Sequence, residues 1–274
     1  MAVYIDHTLE GVTYSWQNVT MLDSIVTHRG THVEMIHRPK WGIACYMDNT
    51  IQSCEIDEAL YHESLVHPVM SSVICPKRVM IIGGGEGATV REVLKYPTVE
   101  CVDMYEWDKD VVQLFRSKYP QWAKGAWDDP RLHLYHDDIF KMIEEYPVDQ
   151  YDIVIIDLFD PSTEMYDSWK HLLKHINKWI RLGGSVVMYA GIRERTLSEQ
   201  PYEILANIMM TMSGVMDDNI LYKNRMTPYH VFIPSFSGES TFLLLSSNTD
   251  FKMVHSIGSH VTDLVWKSYQ TFNW

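Results

Sequence analysis

The 274-residue chain has little cysteine, a shortage of positive charge and no long apolar run. Its four cysteines (Cys45, Cys54, Cys75 and Cys101) follow neither metal-ligand nor redox spacing. This predicts reduced thiols in a cytoplasmic protein and excludes a disulfide framework. No hydrophobic stretch reaches the length of a membrane-spanning helix, so no membrane partner is expected. The opening MAVYIDHTLEGVTYSW has no basic start leading into an apolar core, and predicts no secretory leader. Lysine and arginine total 23 against 36 aspartates and glutamates, a formal net charge of −13. That deficit argues against nucleic acid, whose phosphates are bound by lysine and arginine. It suits a cationic ligand, because an acidic field raises the local concentration of cations. There is no internal repeat and no low-complexity tract. What is present is an ordinary globular composition, 46% hydrophobic and 22% charged, enough to bury a core.

Residues 1 to 56 lack helical periodicity. Strand-like pieces at Val12–Trp16, Val19–Val26, Thr31–His37, Gly42–Met47 and Thr50–Glu55 are separated by Arg29-Gly30, Arg38-Pro39 and Asp48-Asn49. The spacing predicts antiparallel hairpins in a small N-terminal β-domain. The period changes at Asp57. Leu60, Ser64 and His67 share a helical stripe over 57–70, opened by Asp57 and Glu58 and closed by Pro68 and Pro76. From Lys77 strands and helices alternate. Strands are predicted at 79–82, 99–106, 131–135, 152–157 and 185–189. Helices are predicted after the glycines at 83–87 and over 108–118, 138–146, 168–180 and 198–212, with Gly183-Gly184 as a C-cap. Two late antiparallel strands, 229–233 and 241–246, follow. Such alternation predicts an α/β domain over 57–274, doubly wound around a parallel sheet.

The stretch RVMIIGGGEGATVR (78–91) organises that domain. A buried strand turns through Gly83, Gly84, Gly85 and Gly87 into a helix, leaving backbone N–H groups open and admitting a ligand close to the main chain. Ligands of doubly wound sheets lie beyond the carboxyl ends of the strands. The second strand ends at Glu106, 23 residues after Gly83, where an acid can accept both ribose hydroxyls. The third ends at His136-Asp137-Asp138 and the fourth at Asp157. Such acids also serve as helix caps, but three in step with a glycine loop point to a site. Gly83, Gly85 and Ala88 fit G-x-G-x-x-A, yet Glu86 occupies the place where a pyrophosphate would come closest. An anion there repels a dinucleotide and welcomes a sulfonium, which favours S-adenosylmethionine or its decarboxylated relative over NAD. His171 and His175, four apart on a predicted helix, have no matching strand-end ligand, and no metal is expected.

The sequence resembles the polyamine aminopropyltransferases (spermidine, spermine and thermospermine synthases). The resemblance runs from Ser15-Trp16-Gln17 through IQSCEIDEALYHESLVHP (51–68), IIGGGEGATVREVLK (81–95), YEWDKDVV (105–112), HDDIF (136–140) and IDLFDP (156–161). Leu158, the YHE and LVHP segments and the GGGEG loop are most similar to thermospermine synthases. The resemblance implies an N-terminal β-domain followed by a methyltransferase-type Rossmann domain, with no prosthetic group. It implies decarboxylated S-adenosylmethionine as co-substrate and methylthioadenosine as product. Gln17, Gln52, Gly83, Gly85, Glu86, Glu106, Asp137 and Asp138 would hold the co-substrate. Asp157 would be the base, with Asp160 and Tyr61 positioning the amine and His62 and Phe236 lining its pocket. Glu55 and Glu58 would add to an acidic approach. Leu158 and Phe159 stand where spermidine synthases carry small hydroxyl residues, and Phe236 where they carry a tyrosine. This favours spermidine over putrescine as acceptor. The resemblance also implies a homodimer or homotetramer built through the N-terminal hairpins.

The chemistry of such a transfer can be reasoned apart from the resemblance. An amine attacks the methylene beside a sulfonium, and a neutral thioether leaves without help from acid or metal. The amine, with a pKa of about 10, is protonated at neutral pH and needs a carboxylate to take its proton. A methyltransferase using intact S-adenosylmethionine on an amine is the alternative enzyme, and a polyamine- or nucleoside-binding protein the non-catalytic one.

Overall fold

The computed structural model describes residues 2–9, 11–142, 150–193, 200–213, 225–248, 250–254 and 257–269. The chain opens with a two-stranded ribbon, β1 (Val3–Asp6) and β2 (Tyr14–Gln17). A four-stranded antiparallel meander follows: β3 (Thr20–Val26), β4 (His32–Arg38), β5 (Gly42–Met47) and β6 (Thr50–Cys54). Helix α1 (Glu58–Ser72) leads into a seven-stranded sheet. Its strands are β7 (Arg78–Gly83), β8 (Cys101–Tyr105), β9 (Leu132–Tyr135), β10 (Tyr151–Asp157), β11 (Ile180–Arg193), β12 (Arg225–Ile233) and β13 (Gly238–Ser246). They run in the order β12-β13-β11-β10-β7-β8-β9. Strands β9 through β11 of that order are parallel, while β13 and β12 are antiparallel additions. The helices are α2 (Ala88–Leu94), α3 (Lys109–Lys118), α4 (Ile139–Met142), α5 (Tyr166–Trp179), α6 (Pro201–Ser213) and α7 (Asp263–Tyr269).

Strand period divides the interior into two layers. Val79, Ile81, Ile153, Ile155 and Val187 face a cluster with Leu65 and Val69 of α1 and Val90 and Val93 of α2. Met80, Ile82, Val154, Ile156 and Val186 face the opposite cluster with Trp169 and Leu172 of α5 and Leu205 and Ile208 of α6. The continuous apolar runs of β7 and β10 reflect burial on both faces. The N-terminal strands are tied in twice. Ile36, Ala44 and Ile51 join the first cluster, and Val33, Met35 and Cys45 pack on Leu114 and Phe115 of α3.

Several expectations need correction. Pro68 does not close α1, which continues to Ser72. Proline removes the hydrogen bond to the carbonyl four residues back, and here the Ser64 carbonyl accepts the Tyr229 hydroxyl at 2.8 Å instead. Gly183-Gly184 is not a helix C-cap. Helix α5 stops at Trp179, and the glycines lie inside β11 at an irregularity in its pairing with β10. A Cβ on Gly184 would stand 2.7 Å from Ile180 Cγ1 and 2.8 Å from the Asp152 carbonyl oxygen, so this strand irregularity needs glycine. Asp57 precedes α1 without capping it; its carboxylate accepts the Ser235 N–H at 2.7 Å. Strand β1 and helix α7 were not anticipated, and β12 begins four residues earlier than expected, at Arg225. Residues 143–146 and 198–199 of two expected helices lie outside the described residues.

Candidate active site

Strands β7 and β10 are neighbours from which the chain winds outward in opposite directions, and the parallel register aligns their ends. Gly83 pairs with Asp157, Ile82 with Tyr105, and Tyr105 with Tyr135. The glycine loop, Glu106, His136 and Asp157 therefore share one rim. Gly83 has φ +86, and a Cβ there would lie 2.0 Å from the Asp157 carbonyl oxygen, so only glycine lets the loop leave the sheet beside that residue.

Asp157 is held from both sides. Its Oδ1 accepts the Tyr61 hydroxyl at 2.9 Å, from α1, and its Oδ2 accepts the Thr89 hydroxyl at 2.5 Å, from the first turn of α2. Burial, with Asp157 beside it, raises the Tyr61 pKa far above the usual phenol value, so Tyr61 stays a donor. The Tyr61 ring lies 5.7 Å from that of Tyr189, 5.6 Å from Phe236 and 5.4 Å from Phe242, centroid to centroid. Tyr189 in turn bonds Asp160, which also accepts the Ile192 N–H at 3.4 Å. Solvent reaches Asp160, yet the protein crowding its carboxyl raises its pKa against the pull of these two bonds.

Glu86 projects from the loop and shares its Oε1 with His62 Nε2 at 3.1 Å. Its Oε2 is buried and has no hydrogen-bond partner. The other ring nitrogen of His62 lies 2.6 Å from the Glu58 carbonyl and 3.3 Å from Glu58 Oε2. Burial opposes a charge on His62, but Glu58 and Glu86 outweigh it and raise its pKa to about 10. Glu58 is an interior ion-pair partner, bonded twice by Arg91 at 3.1 and 2.8 Å, rather than part of an acidic approach. Glu55 is likewise engaged elsewhere, by the Ile43 N–H and by Gln121.

Glu106 follows β8 with its Oε1 on the Asp108 N–H at 2.8 Å. A Cβ on Gly85 would lie 3.0 Å from Glu106 Oε2, so loop and carboxylate stand together. Burial is the main cause that raises the Glu106 pKa to about 7. The Asp108 N–H opposes the rise, while the charges of Asp108 and Asp157 add to it. Asp137 makes no hydrogen bond among the described residues. Asp138 is committed to α4, accepting the Phe140 N–H at 3.2 Å and pairing with Lys141 at 3.0 Å. Gln52 turns its amide onto the Thr50 carbonyl at 3.2 Å, and Gln17 is exposed on β2. No described contact joins either glutamine to the strand-end cluster. Phe236 is buried against Tyr61.

The site therefore presents Glu86, Glu106, Asp137, Asp157 and Asp160, with glycine backbone between them. Among the described residues, the cation that meets these acids is His62, held by Glu86 on one side and Glu58 on the other. An unpartnered buried carboxylate oxygen is costly unless a ligand completes it. Glu86 Oε2 thus fits a cationic ligand rather than a phosphate.

The family model of the spermine/spermidine synthase domain matches residues 58–254. The chain belongs to this family. Among relatives of the spermine/spermidine synthase family, a polyamine aminopropyltransferase of Pyrobaculum calidifontis is 37% identical over 217 residues, covering 77% of this chain and 70% of the relative. Polyamine aminopropyltransferase 2 of Pseudomonas aeruginosa is 35% identical over 240 residues, covering 86% of this chain and 61% of the relative. The family fold is shared with spermidine synthase from Thermotoga maritima, at a TM-score of 0.83 and 21% identity over 99% of this chain and 92% of that one. It is also shared with spermidine synthase in complex with the transition-state analogue AdoDATO, at a TM-score of 0.84, 22% identity and the same coverage.

Two residues of this family member escaped the sequence reading. Thr89 is an unremarked threonine two positions past the loop, and no spacing announces that its hydroxyl turns to Asp157. Tyr189 lies at the strand position where β11 reaches the rim, so the strand-end rule applied to the fifth strand would have found it.

Proposed function

We propose that this chain transfers the aminopropyl group of decarboxylated S-adenosylmethionine to a polyamine, releasing methylthioadenosine. The observation that carries the reading is Asp157. It stands at the switch point of the sheet, oriented by Tyr61 and Thr89, and the glycine loop against its strand end carries Glu86, whose buried Oε2 accepts no hydrogen bond. Glu106 and Asp137 would take the nucleoside's ribose and adenine, and Glu86 would face the sulfonium end. Asp157 accepts a proton from the acceptor's ammonium, freeing the nitrogen lone pair. That pair attacks the methylene beside the sulfonium in line. The C–S electrons stay on sulfur, which becomes a neutral thioether, and the new C–N bond leaves a secondary ammonium. The buried rings of Tyr61, Tyr189, Phe236 and Phe242 provide a shaped wall, so the rest of catalysis is orientation.

The acceptor we favour is spermidine. Leu158 and Phe159 follow the base, and Phe236 presents an apolar edge against Tyr61. We extend the reading to a cytoplasmic enzyme with residues 1–56 as a unit. Val3, Ile5, Met21, Leu22 and Val26 of its strands expose apolar side chains suited to a homodimer or homotetramer contact. Among the described residues no helix is long and apolar enough to cross a membrane. The test is incubation with decarboxylated S-adenosylmethionine and putrescine, spermidine or spermine in turn, with products separated by chromatography. Methylthioadenosine and a longer polyamine are expected, most rapidly from spermidine. A methylated amine from intact S-adenosylmethionine, or no product from any amine, would overturn the assignment.

A further inference from the structure

Away from the strand-end cluster, three groups of potential metal ligands converge among the described residues. Two of them are already spent within the protein. In Glu63–His67–Glu92, Glu63 accepts Ser259 and the backbone of His260 and Val261, while Glu92 pairs with Arg91 and Lys95. In His28–Asp108–Asp110, the backbone N–H groups of His28 and Asp110 occupy Asp110 Oδ2 and Asp108 Oδ1. The third group, Cys101–Asp103–His133, is different. It lies towards the amino ends of β8 and β9, while Glu106 and His136 lie beyond their carboxyl ends.

Strand geometry builds it. Period two puts Cys101 and Asp103 on one face of β8, and the parallel register sets His133 of β9 opposite Asp103. Cys101 Sγ lies 3.6 Å from His133 Nδ1 and 3.7 Å from Asp103 Oδ1, and His133 Nδ1 lies 3.0 Å from Asp103 Oδ1. A catalytic relay would use the two ring nitrogens for different partners. Here one nitrogen faces both the sulfur and the carboxylate, so three donor atoms converge on a single point. Zinc–sulfur bonds of about 2.3 Å and zinc–nitrogen or zinc–oxygen bonds of about 2.0–2.2 Å, held tetrahedrally, separate their donors by about 3.3–3.7 Å. Two of the three observed distances fall within that range, and the third needs only a small opening.

The surroundings fix the carboxylate. Asp103 Oδ2 accepts the Tyr151 hydroxyl at 2.9 Å and faces Arg78 at 3.5 Å, which turns Oδ1 towards the sulfur and the imidazole. Such outer partners orient metal ligands. Thiolate and carboxylate together balance a divalent charge, leaving the distal Arg78 contact undisturbed. His133 is half exposed, which leaves an ion a path in from solvent and room for water as a fourth ligand.

We propose that Cys101, Asp103 and His133 form a surface site for one divalent ion of the zinc class, separate from the transfer chemistry. The test uses the reduced full-length chain. Calorimetric titration with Zn²⁺ is expected to give one saturable site per chain, and Cd²⁺ is expected to give a thiolate-to-metal ultraviolet band. Cys101→Ser should abolish the band, and Cys75→Ser, which removes the exposed thiol, should keep it. His133→Ala should weaken Zn²⁺ by at least about 10-fold. Aminopropyl transfer should be unchanged in Cys101→Ser and His133→Ala, which also shows that both fold. Absence of saturable Zn²⁺ binding, or Zn²⁺ held as tightly by either variant as by the parent chain, would overturn the proposal.

Discussion

Asp157 uses one lone pair of each oxygen on the protein, Tyr61 on one side and Thr89 on the other, which leaves the remaining pairs for the substrate amine that the proposed base would meet. A carboxylate so gripped cannot turn away from the amine, which matters because a base acts only within hydrogen-bond reach. Replacing Asp157 by Asn keeps the shape and removes the proton acceptor. Turnover is expected to fall by about 10²–10⁴-fold while methylthioadenosine still binds, as read by rate assay and calorimetry. Normal turnover in that variant would remove Asp157 from its role. Glu106 is governed by burial, which raises its pKa to about 7. The folded state thus prefers it neutral, while two ribose hydroxyls prefer the carboxylate. Below pH 7 the group must lose a proton on binding. Methylthioadenosine affinity should therefore weaken towards about 10-fold per pH unit on the acid side of pH 7 and level off above it. Glu106→Gln should flatten that profile, and an affinity already flat with pH in the parent chain would contradict the reading. Both acids were legible in the sequence because each ends a strand. Thr89 was not, since the direction of a helix hydroxyl is a property of packing.

Helix α1 shows how an element absorbs a residue that breaks its local rule. Proline at position 68 reads as a stop, yet the helix continues because a strand more than 150 residues later supplies a hydrogen to the carbonyl that proline strands. Removing that hydroxyl in Tyr229→Phe leaves the Ser64 carbonyl buried without a partner. This should cost about 1–3 kcal/mol of stability, read as a lower denaturant midpoint with transfer retained at low temperature. Unchanged stability would show that the helix tolerates Pro68 unaided. The same lesson applies to β11. Gly183-Gly184 follows a helical pattern and has the chemistry of a cap, but the sheet claims the chain from Ile180 onward through pairing with Tyr151. Long-range pairing decided both cases, and neither leaves a mark in a short window of sequence. The alternation of elements from Lys77, by contrast, was legible because β7 and β10 are buried on both faces and read as unbroken apolar runs.

At the scale of the molecule, the acidic balance found its meaning in place rather than in total. The net charge of −13 names no partner by itself. Its informative part is the set of acids that the parallel register gathers at one rim from the ends of four neighbouring strands. The sequence foretold that gathering through the strand ends. It did not foretell that Glu58 would be neutralised by His62 and Arg91, because that pairing needs α1 laid against α2.

One apolar cluster holds Ile36, Ala44 and Ile51 of the N-terminal meander together with Leu65 of α1 and Ile81 of the central sheet. Heat capacity offers a view of what that sharing means. Two parts that owned separate interiors would melt as two endotherms. Parts that lend each other their interior should lose it together, and scanning calorimetry should show one endotherm whose calorimetric and van't Hoff enthalpies agree. Two resolved peaks would break the expectation. On this account the proposed base is dismantled along with the meander, because Tyr61, which holds Asp157, is itself a member of the common interior.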